Sequence, residues 1–329
     1  MRAIVRYRYG APDVLRLEDV AKPVPAEGEV LVRVVAASLN PLDVHFMTGS
    51  PSVVRAFSGL RRPKVPALGA DVAGRVEAIG GGVTRFKPGD DVYGAGRGTL
   101  AEYASLPESR LAPKPSNLSF EEAATVPVAG CTALQALREK GSIQPGQAVL
   151  VNGAAGGVGT FAVQIARSAG ARVTGVCSTR NLDLVRSIGA ETVVDYTRED
   201  FTALEKRWDL IVDCVANHPY GAVRRVLSPA GTYVVVGGSG EGWVRGLFLD
   251  LMRSMRSRFV PQKYVLMLAR IDVGSLVVLT ELIEAKKVAP VIDRTYPLSG
   301  AAEGLRYLGD GHARGKVVVT VRHRDGGGP

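Results

Sequence analysis

Hydrophobic and polar positions follow two different patterns along this chain, and the change falls near Phe120. Before it, Glu29-Val-Leu-Val-Arg-Val-Val35 mixes charge with β-branched residues in the manner of a strand. Turn signals such as Lys87-Pro-Gly-Asp90 recur nearby. Glycines in Gly69-Ala-Asp-Val-Ala-Gly74, and again at Gly80, mark points where the backbone turns or approaches another segment closely. The first third therefore predicts a compact, mostly β domain.

Beyond Phe120, residues 121–125 and 132–140 have helical composition, and Gly141 followed by Pro145-Gly146 is a stop signal. Strands are then expected at 148–151, 172–177, 192–195, 210–214 and 232–236, with helices at 159–169 and 182–188 between them. Strands recurring with helices between them imply βαβ units, and right-handed crossovers make the result a doubly wound parallel α/β sheet. The last sixty residues return to mixed character, with helices expected at 273–285 and 301–308 and strands at 291–296 and 316–321. Residues 322–329, ending in Gly-Gly-Gly-Pro, are expected to be disordered.

Composition narrows the class. The chain has 329 residues, 46% hydrophobic and 22% charged, which is globular and excludes disorder as a whole-chain state. At roughly 150 residues per domain, that length suggests about two domains. Apolar runs are strand-length, and none approaches the roughly 18 to 20 residues of a membrane span. The start, MRAIVRYRYG, alternates charge with apolar residues instead of forming a secretory signal, so a cytoplasmic protein is expected. Cys131, Cys177 and Cys214 lie far apart and form no CxxC pair, which argues against a disulfide framework.

The net charge of +9 invites a polyanion, but the arginines are scattered, so neither nucleic acid nor a membrane is expected as a partner. One denser run, Arg245 to Lys263, contains Arg253, Arg256 and Arg258 and reads as a solvated helix face or a wall of an anionic pocket. A membrane-surface helix is its alternative reading. Phosphate on a cofactor accounts for part of the charge.

The strongest chemical signal is Val149-Leu-Val-Asn-Gly-Ala-Ala-Gly-Gly-Val-Gly159, a predicted strand running into glycines and then into a helix. Gly153, Gly156 and Gly159 would permit a tight turn, backbone approach to a pyrophosphate, and close packing of helix on strand. The helix N-terminus then offers free N–H groups to the anion. The strict GxGxxG spacing is altered, because Ala154 stands at its first glycine. The order of strand, turn, helix and second strand supports a dinucleotide site that includes Gly153, Ala155, Gly156, Gly157, Val158 and Gly159.

About twenty residues on, an acidic side chain would bind the ribose 2′-hydroxyl of NAD. Here Ser178-Thr-Arg180 ends the second strand, and hydroxyls with a guanidinium suit a 2′-phosphate. NADPH is the expected cofactor. The alternative is that Arg180 caps a surface turn, an alternative that nearby Asp183 keeps open.

At this point the chain resembles the medium-chain dehydrogenase/reductase superfamily, and within it the zinc-free quinone oxidoreductase and enone reductase branch. The resemblance spans nearly the full length. It is carried by Gly69-Ala-Asp-x2-Gly74-x5-Gly80-x2-Val83, Lys87-Pro-Gly-Asp-Asp-Val92, Ala129-Gly-Cys-Thr-Ala133, the glycine turn, Asp195-Tyr196 and Gly315-Lys-Val-Val318. The implied fold is a Rossmann doubly wound parallel sheet plus a GroES-like mostly β domain built from both ends of the chain. The implied boundaries are 1–122, 123–270 and 271–329.

Zinc-dependent members carry Gly-His-Glu where this chain has Gly69-Ala70-Asp71, and a ligand cysteine where it has Asn40, so no metal is expected. Without a Lewis acid, carbonyl polarisation falls to hydrogen bonds, which suits conjugate reduction of an enone or reduction of a quinone. By resemblance Asn40 lies beside nicotinamide and substrate, where its amide would donate to the developing oxyanion; the alternative is a turn-forming Asn before Pro41. His45, where quinone reductases often carry a tyrosine, is the candidate acid, with a structural histidine on a mixed strand or loop as its alternative. Resemblance also assigns Thr132 to the carboxamide and Tyr196 to the adenosine 2′-phosphate. Val215, Gly237 and Gly238 join the cofactor set, as does Lys316, read either as bordering the cofactor phosphates or as solvated charge on an edge strand.

Three readings of function follow: an NADPH-dependent reductase of quinones or activated double bonds, a pathway-specific enoyl-thioester reductase, and a non-enzymatic nicotinamide-binding sensor or scaffold. The family's edge-to-edge pairing of its last Rossmann strand implies a homodimer here, through the apolar segment 264–269.

Overall fold

The computed structural model describes residues 1–236 and 261–323, and fifteen strands, numbered here in chain order, lie among them. The chain divides into two compact units. The first comprises residues 1–128, 271–284 and the chain from 290 onward, and the second comprises 129–270 and 285–289. Residues 285–289 thus leave the C-terminal stretch expected to join the β unit as a whole. Their anchor is Gln164, whose Nε2 donates to Ala289 O at 2.9 Å and whose Oε1 accepts from Ala289 N at 2.8 Å.

The first unit holds a small ribbon, β1 (Arg2–Val5) with β2 (Arg16–Asp19), and a seven-stranded sheet. That sheet contains β3 (Glu29–Leu39), β4 (Asp71–Ile79), β5 (Asp91–Ala95), β6 (Tyr103–Pro107), β7 (Leu111–Pro113), β14 (Ile292–Pro297) and β15 (Lys316–Thr320). Its order is β14-β15-β3-β4-β5-β7, with β6 also paired to β3. Alternating valines of β3, β4 and β15 fill the core: Val30, Val32, Val34, Val72, Val317 and Val319 are fully buried. Strand β3 is central, pairing with β4 at Ser38↔Asp71 and with β15 at Leu39↔Val317. That register brings Ser38, Asp71 and Lys316 to one end of three neighbouring strands. β15 is therefore an interior strand between β14 and β3, which corrects the edge-strand reading of Lys316.

Directly after β3 the chain enters α1 (Pro41–Thr48), so His45 is helical and lies on neither strand nor loop. The reason is local. Pro41 occupies the first helical position, where its missing N–H costs nothing, and Asp43 accepts the Asn40 backbone N–H at 2.8 Å. Gly49, at φ 65°, ends the helix in the left-handed conformation. Next come α2 (Val53–Ser58) and α3 (Phe120–Ala124), the latter capped reciprocally by Ser119 and Glu122. α4 (Pro127–Gln135) follows. Arg322 and His323, expected in a disordered tail, are held: Arg2 Nη2 donates to Arg322 O at 2.7 Å, and His323 Nε2 lies 2.9 Å from Val34 O.

The second unit is built on β8 (Ala148–Asn152), α5 (Gly157–Ser168), β9 (Arg172–Cys177), α6 (Leu182–Ser187) and β10 (Thr192–Asp195). It continues with β11 (Trp208–Asp213), α7 (Tyr220–Arg225), β12 (Leu227–Val235) and β13 (Lys263–Leu266). All six strands are parallel, in the order β10-β9-β8-β11-β12-β13. Counted from β8 this is 3-2-1-4-5-6, the Rossmann order, whose switch point lies between the first and fourth strands. β8 and β11 accordingly have apolar centres, where Val149, Leu150, Val151, Ile211 and Val212 are fully buried. The chain closes in the first unit with α8 (Val273–Glu284) and α9 (Ala301–Gly309). No helix among the described residues is long and apolar enough to cross a membrane. Gly237, Gly238 and the run 253–260 lie outside the described residues.

Candidate active site

In the first unit, a buried charge cluster occupies the ends of β3, β4 and β15. Asp71 is fully buried and its Oδ2 accepts from Ser38 Oγ at 2.6 Å, Asn40 Nδ2 at 2.9 Å and Lys316 Nζ at 3.1 Å. Its Oδ1 accepts from the Val128 backbone N–H at 2.8 Å. Lys316 is 3% exposed and spends its three protons on Asn40 Oδ1 at 2.6 Å, Asp71 and Leu39 O at 3.3 Å. A buried ammonium and carboxylate survive such desolvation only when paired and fully hydrogen-bonded, and here both conditions hold. Lys316 is thus neither a solvated charge nor a group with protons turned to a phosphate.

Asn40 sits between the two ions. Its Oδ1 faces the ammonium, and its Nδ2 faces Asp71, with a second, longer contact to Ser38 O at 3.4 Å. Beside it, the carboxyl of Asp43 is buried, and that burial pushes its pKa up to about 7 against the opposing Asn40 N–H hydrogen bond. The nearby Arg6 guanidinium is also buried, donating to Phe46 O and Pro66 O at 3.2 Å each, and its pKa is lowered by desolvation. His45, one turn along α1, has Nδ1 2.8 Å from Ser50 O. A carbonyl only accepts, so Nδ1 carries the proton, and the neutral ring presents Nε2 as an acceptor. His45 can release a proton from Nε2 only as imidazolium.

The second unit carries the glycine turn. Gly153 adopts φ +81°, where a side chain is strained. A Cβ on Gly159 would stand 2.1 Å from Gly153 O, so only glycine lets α5 sit this close on the turn. Gly156 is the N-cap of α5, which places Gly157, Val158 and Gly159 in the first helical turn with their N–H groups outside the intrahelical ladder. The helix therefore starts at Gly157, two residues earlier than expected. These residues fit a dinucleotide pyrophosphate.

At the carboxyl ends of β9 and β10, Asp195 is turned onto its own neighbours. Its carboxylate accepts from Thr179 Oγ1 at 2.5 Å and from Thr197 Oγ1 at 2.7 Å, and Arg198 Nε lies 3.6 Å away. The Thr179 hydrogen bond is the largest cause holding the Asp195 carboxyl below its ordinary pKa range. Ser178 is half-buried, while Thr179, Arg180 and Tyr196 are exposed, the last at 60%. Sequence reasoning missed Arg198, whose only signal was its place three residues after the carboxylate it faces.

At the switch point, Asp213 at the end of β11 is fully buried and accepts from Asn152 Nδ2 at 2.9 Å, Tyr233 OH at 2.7 Å and the backbone N–H groups of Val215 and Ala216. This shapes the loop holding Val215 against the turn, where a Cβ on Gly153 would meet Val215 Cγ2 at 2.8 Å. Thr132 lies on α4 and is buried. Burial disfavours the thiolate at two of the cysteines, pushing Cys177 up to about 11 and raising Cys214 further.

A Rossmann sheet with a glycine turn, joined to a β-rich unit with a buried ion cluster, defines a nicotinamide-dependent oxidoreductase. Residues 26–116 match the alcohol dehydrogenase GroES-like domain, and residues 188–319 match the family described as zinc-binding dehydrogenase. The chain is 35% identical over 333 residues to chloroplastic quinone-oxidoreductase QR1 of Triphysaria versicolor, covering 97% of this chain and 98% of that one. It is 34% identical over 334 residues to the chloroplastic NADPH-dependent alkenal/one oxidoreductase of Arabidopsis thaliana, covering 97% and 79%. The quinone oxidoreductase of Coxiella burnetii superposes with a TM-score of 0.85 at 31% identity, covering 98% and 99% of the two chains. The chain belongs to the medium-chain dehydrogenase/reductase superfamily, among its quinone oxidoreductase and alkenal/one reductase homologues.

The zinc in the name of the matched family finds a poor donor set here. Ala70 brings no donor, Asn40 brings a neutral amide, and the acceptors Asn40 Oδ1 and Asp71 Oδ2 already face the Lys316 ammonium. No group of three or more His, Cys, Asp or Glu side chains placed to hold a metal occurs among the described residues. These residues do not fit zinc.

Proposed function

We propose that the protein is an NADPH-dependent reductase of quinones or of the activated C=C bond of enones, and that it works without zinc. The observation that carries this reading is the Lys316 ammonium between Asn40 and Asp71. A metal-activated alcohol needs open ligands, whereas a conjugated carbonyl needs only hydrogen-bond donors for the oxygen that gains charge. A bound reduced nicotinamide supplies the hydride.

In this reading the chain's own residues have separate tasks. The first turn of α5 and the glycine turn hold the pyrophosphate. Ser178, Thr179, Arg180 and Arg198 bind the 2′-phosphate, and Tyr196 packs beside it. Asp195 stays ionised beside that site, and the Arg198 guanidinium 3.6 Å away offsets its charge. Thr132 and Val215 face the nicotinamide end. Asn40 donates to the substrate oxygen through the N–H whose present contact, Ser38 O at 3.4 Å, is the weaker of its two. His45, as imidazolium, or water returns the proton. The proposed assembly is a homodimer through β13, the last strand of the second unit's sheet.

Following NADPH oxidation against quinones, alkyl enones and enoyl thioesters tests this reading. Turnover of the first two classes supports it. Turnover of thioesters alone would favour the pathway-specific enoyl reductase, and NADPH binding without turnover of any would favour a sensor.

A further inference from the structure

We propose that the end of α2 and the loop after it form a docking surface for anionic lipid bilayers, so that the enzyme works at membrane surfaces as a peripheral protein. Between Asp43 and Asp71 the chain runs 27 residues, 44–70, without one acidic residue, and carries Arg55, Arg61, Arg62 and Lys64. That stretch alone holds four of the nine surplus positive charges.

The fold gathers part of this stretch onto one projection. Ser58 O accepts the Lys64 backbone N–H at 2.8 Å, closing a compact loop. Gly59 takes φ +122°, and a Cβ there would strike Arg62 O at 2.1 Å, so the turn is built for glycine. Tyr9 OH pins the base through Ser58 Oγ at 2.7 Å and Gly59 O at 2.6 Å, while the Arg55 guanidinium lies over the Tyr9 ring. The base is fixed and the tip is bare. Phe57 is 73% exposed and Leu60 76%, flanked by exposed Arg61, Arg62, Lys64 and Val65.

Single exposed apolar residues are ordinary on protein surfaces. A preformed projection of helix end and loop that offers an aromatic ring and a leucine beside cations, and is free of acids, is not. Apolar groups that enter the interface beside cations that meet lipid phosphates are the chemistry of peripheral membrane binding. A soluble polyanion would need the cations alone and leave Phe57 and Leu60 unused. The arginines are scattered along the chain, which argues against a membrane, yet the fold brings three cations, Arg61, Arg62 and Lys64, to one tip. The inference is independent of which substrate is reduced.

Co-sedimentation of the full chain with vesicles tests it, comparing phosphatidylcholine alone with phosphatidylcholine containing phosphatidylglycerol. Binding to the anionic vesicles only is expected. Arg61→Gln with Arg62→Gln should weaken it by roughly 25-fold, since each cation near an anionic surface contributes about fivefold. Phe57→Ser with Leu60→Ser should also weaken vesicle binding, while leaving retention on heparin and the melting temperature unchanged. No binding to anionic vesicles, or binding untouched by the apolar pair and matched by heparin retention, would overturn the proposal.

Discussion

The Nζ of Lys316 lies 2.6 Å from Oδ1 of Asn40, and this contact fixes which way the amide points. An ammonium only donates, so it takes the amide oxygen and leaves Nδ2 toward Asp71 Oδ2 at 2.9 Å. Asn40 is therefore held between a cation and an anion, each buried within the same sheet. In the proposed reaction, that makes Lys316 and Asp71 positioning residues for the amide.

Removing either ion strands the other. Lys316→Met and Asp71→Asn should each destabilise the protein by about 3–5 kcal/mol, the range for breaking a buried pair from one side. The double variant should lose clearly less than the sum, because the two residues share the interaction. Chemical denaturation of the four proteins measures this, and strict additivity would deny the coupling.

Gly159→Ala forces a methyl group to within 2.1 Å of Gly153 O, so the start of α5 must move off the turn. About 1–3 kcal/mol of stability should be lost, together with most of the dinucleotide affinity. Gly221→Ala, where a Cβ meets nothing within 4 Å, serves as the tolerated control. Thermal melting with and without NADPH reads both effects.

Arg180→Ala should weaken NADPH binding by about ten- to one-hundred-fold, the worth of a hydrogen bond between charged groups. NADH affinity should stay as it is. Fluorescence titration with both cofactors decides, and an unchanged NADPH affinity contradicts the role given to Arg180.

The buried Asp43 makes stability depend on pH with a definite sign. Its pKa is raised to about 7 in the folded chain from 3.8, so between those values the folded state keeps a proton that the unfolded state has released. Stability from this group is present in full below about pH 4 and declines as pH rises to about 7, then stays level. Asp43→Asn, which keeps an acceptor for the Asn40 N–H, should flatten the slope. Melting temperatures across that range for both proteins check it.

Much of the nucleotide unit was legible because its signals are local. The run from Val149 through Gly159 carries strand, turn and helix start in order, and strands 172–177 and 192–195 coincide with β9 and β10. The helix at Pro41 has a local signal too, since Asn40-Pro41-Leu42-Asp43 holds a cap, a first-turn proline and an acidic N3 residue, where the sequence reading has a turn-forming Asn40 and a His45 on a mixed strand or loop. What could not be read was pairing across distance. Lys316 and Asp71 are 245 positions apart, and only the β15-β3-β4 order brings them together. The same holds for Asp213, whose partners Asn152 and Tyr233 lie on neighbouring strands.

In the proposed reaction, hydrogen bonds around a fixed lysine ammonium do the work for which a zinc-dependent dehydrogenase needs its metal. NADPH oxidation with a quinone or enone, measured after dialysis against a strong chelator with metal content assayed on the same sample, tests it most directly. Turnover should be undiminished in protein that holds far less than one metal ion per chain. Activity that disappears with the metal and returns on adding zinc would contradict it.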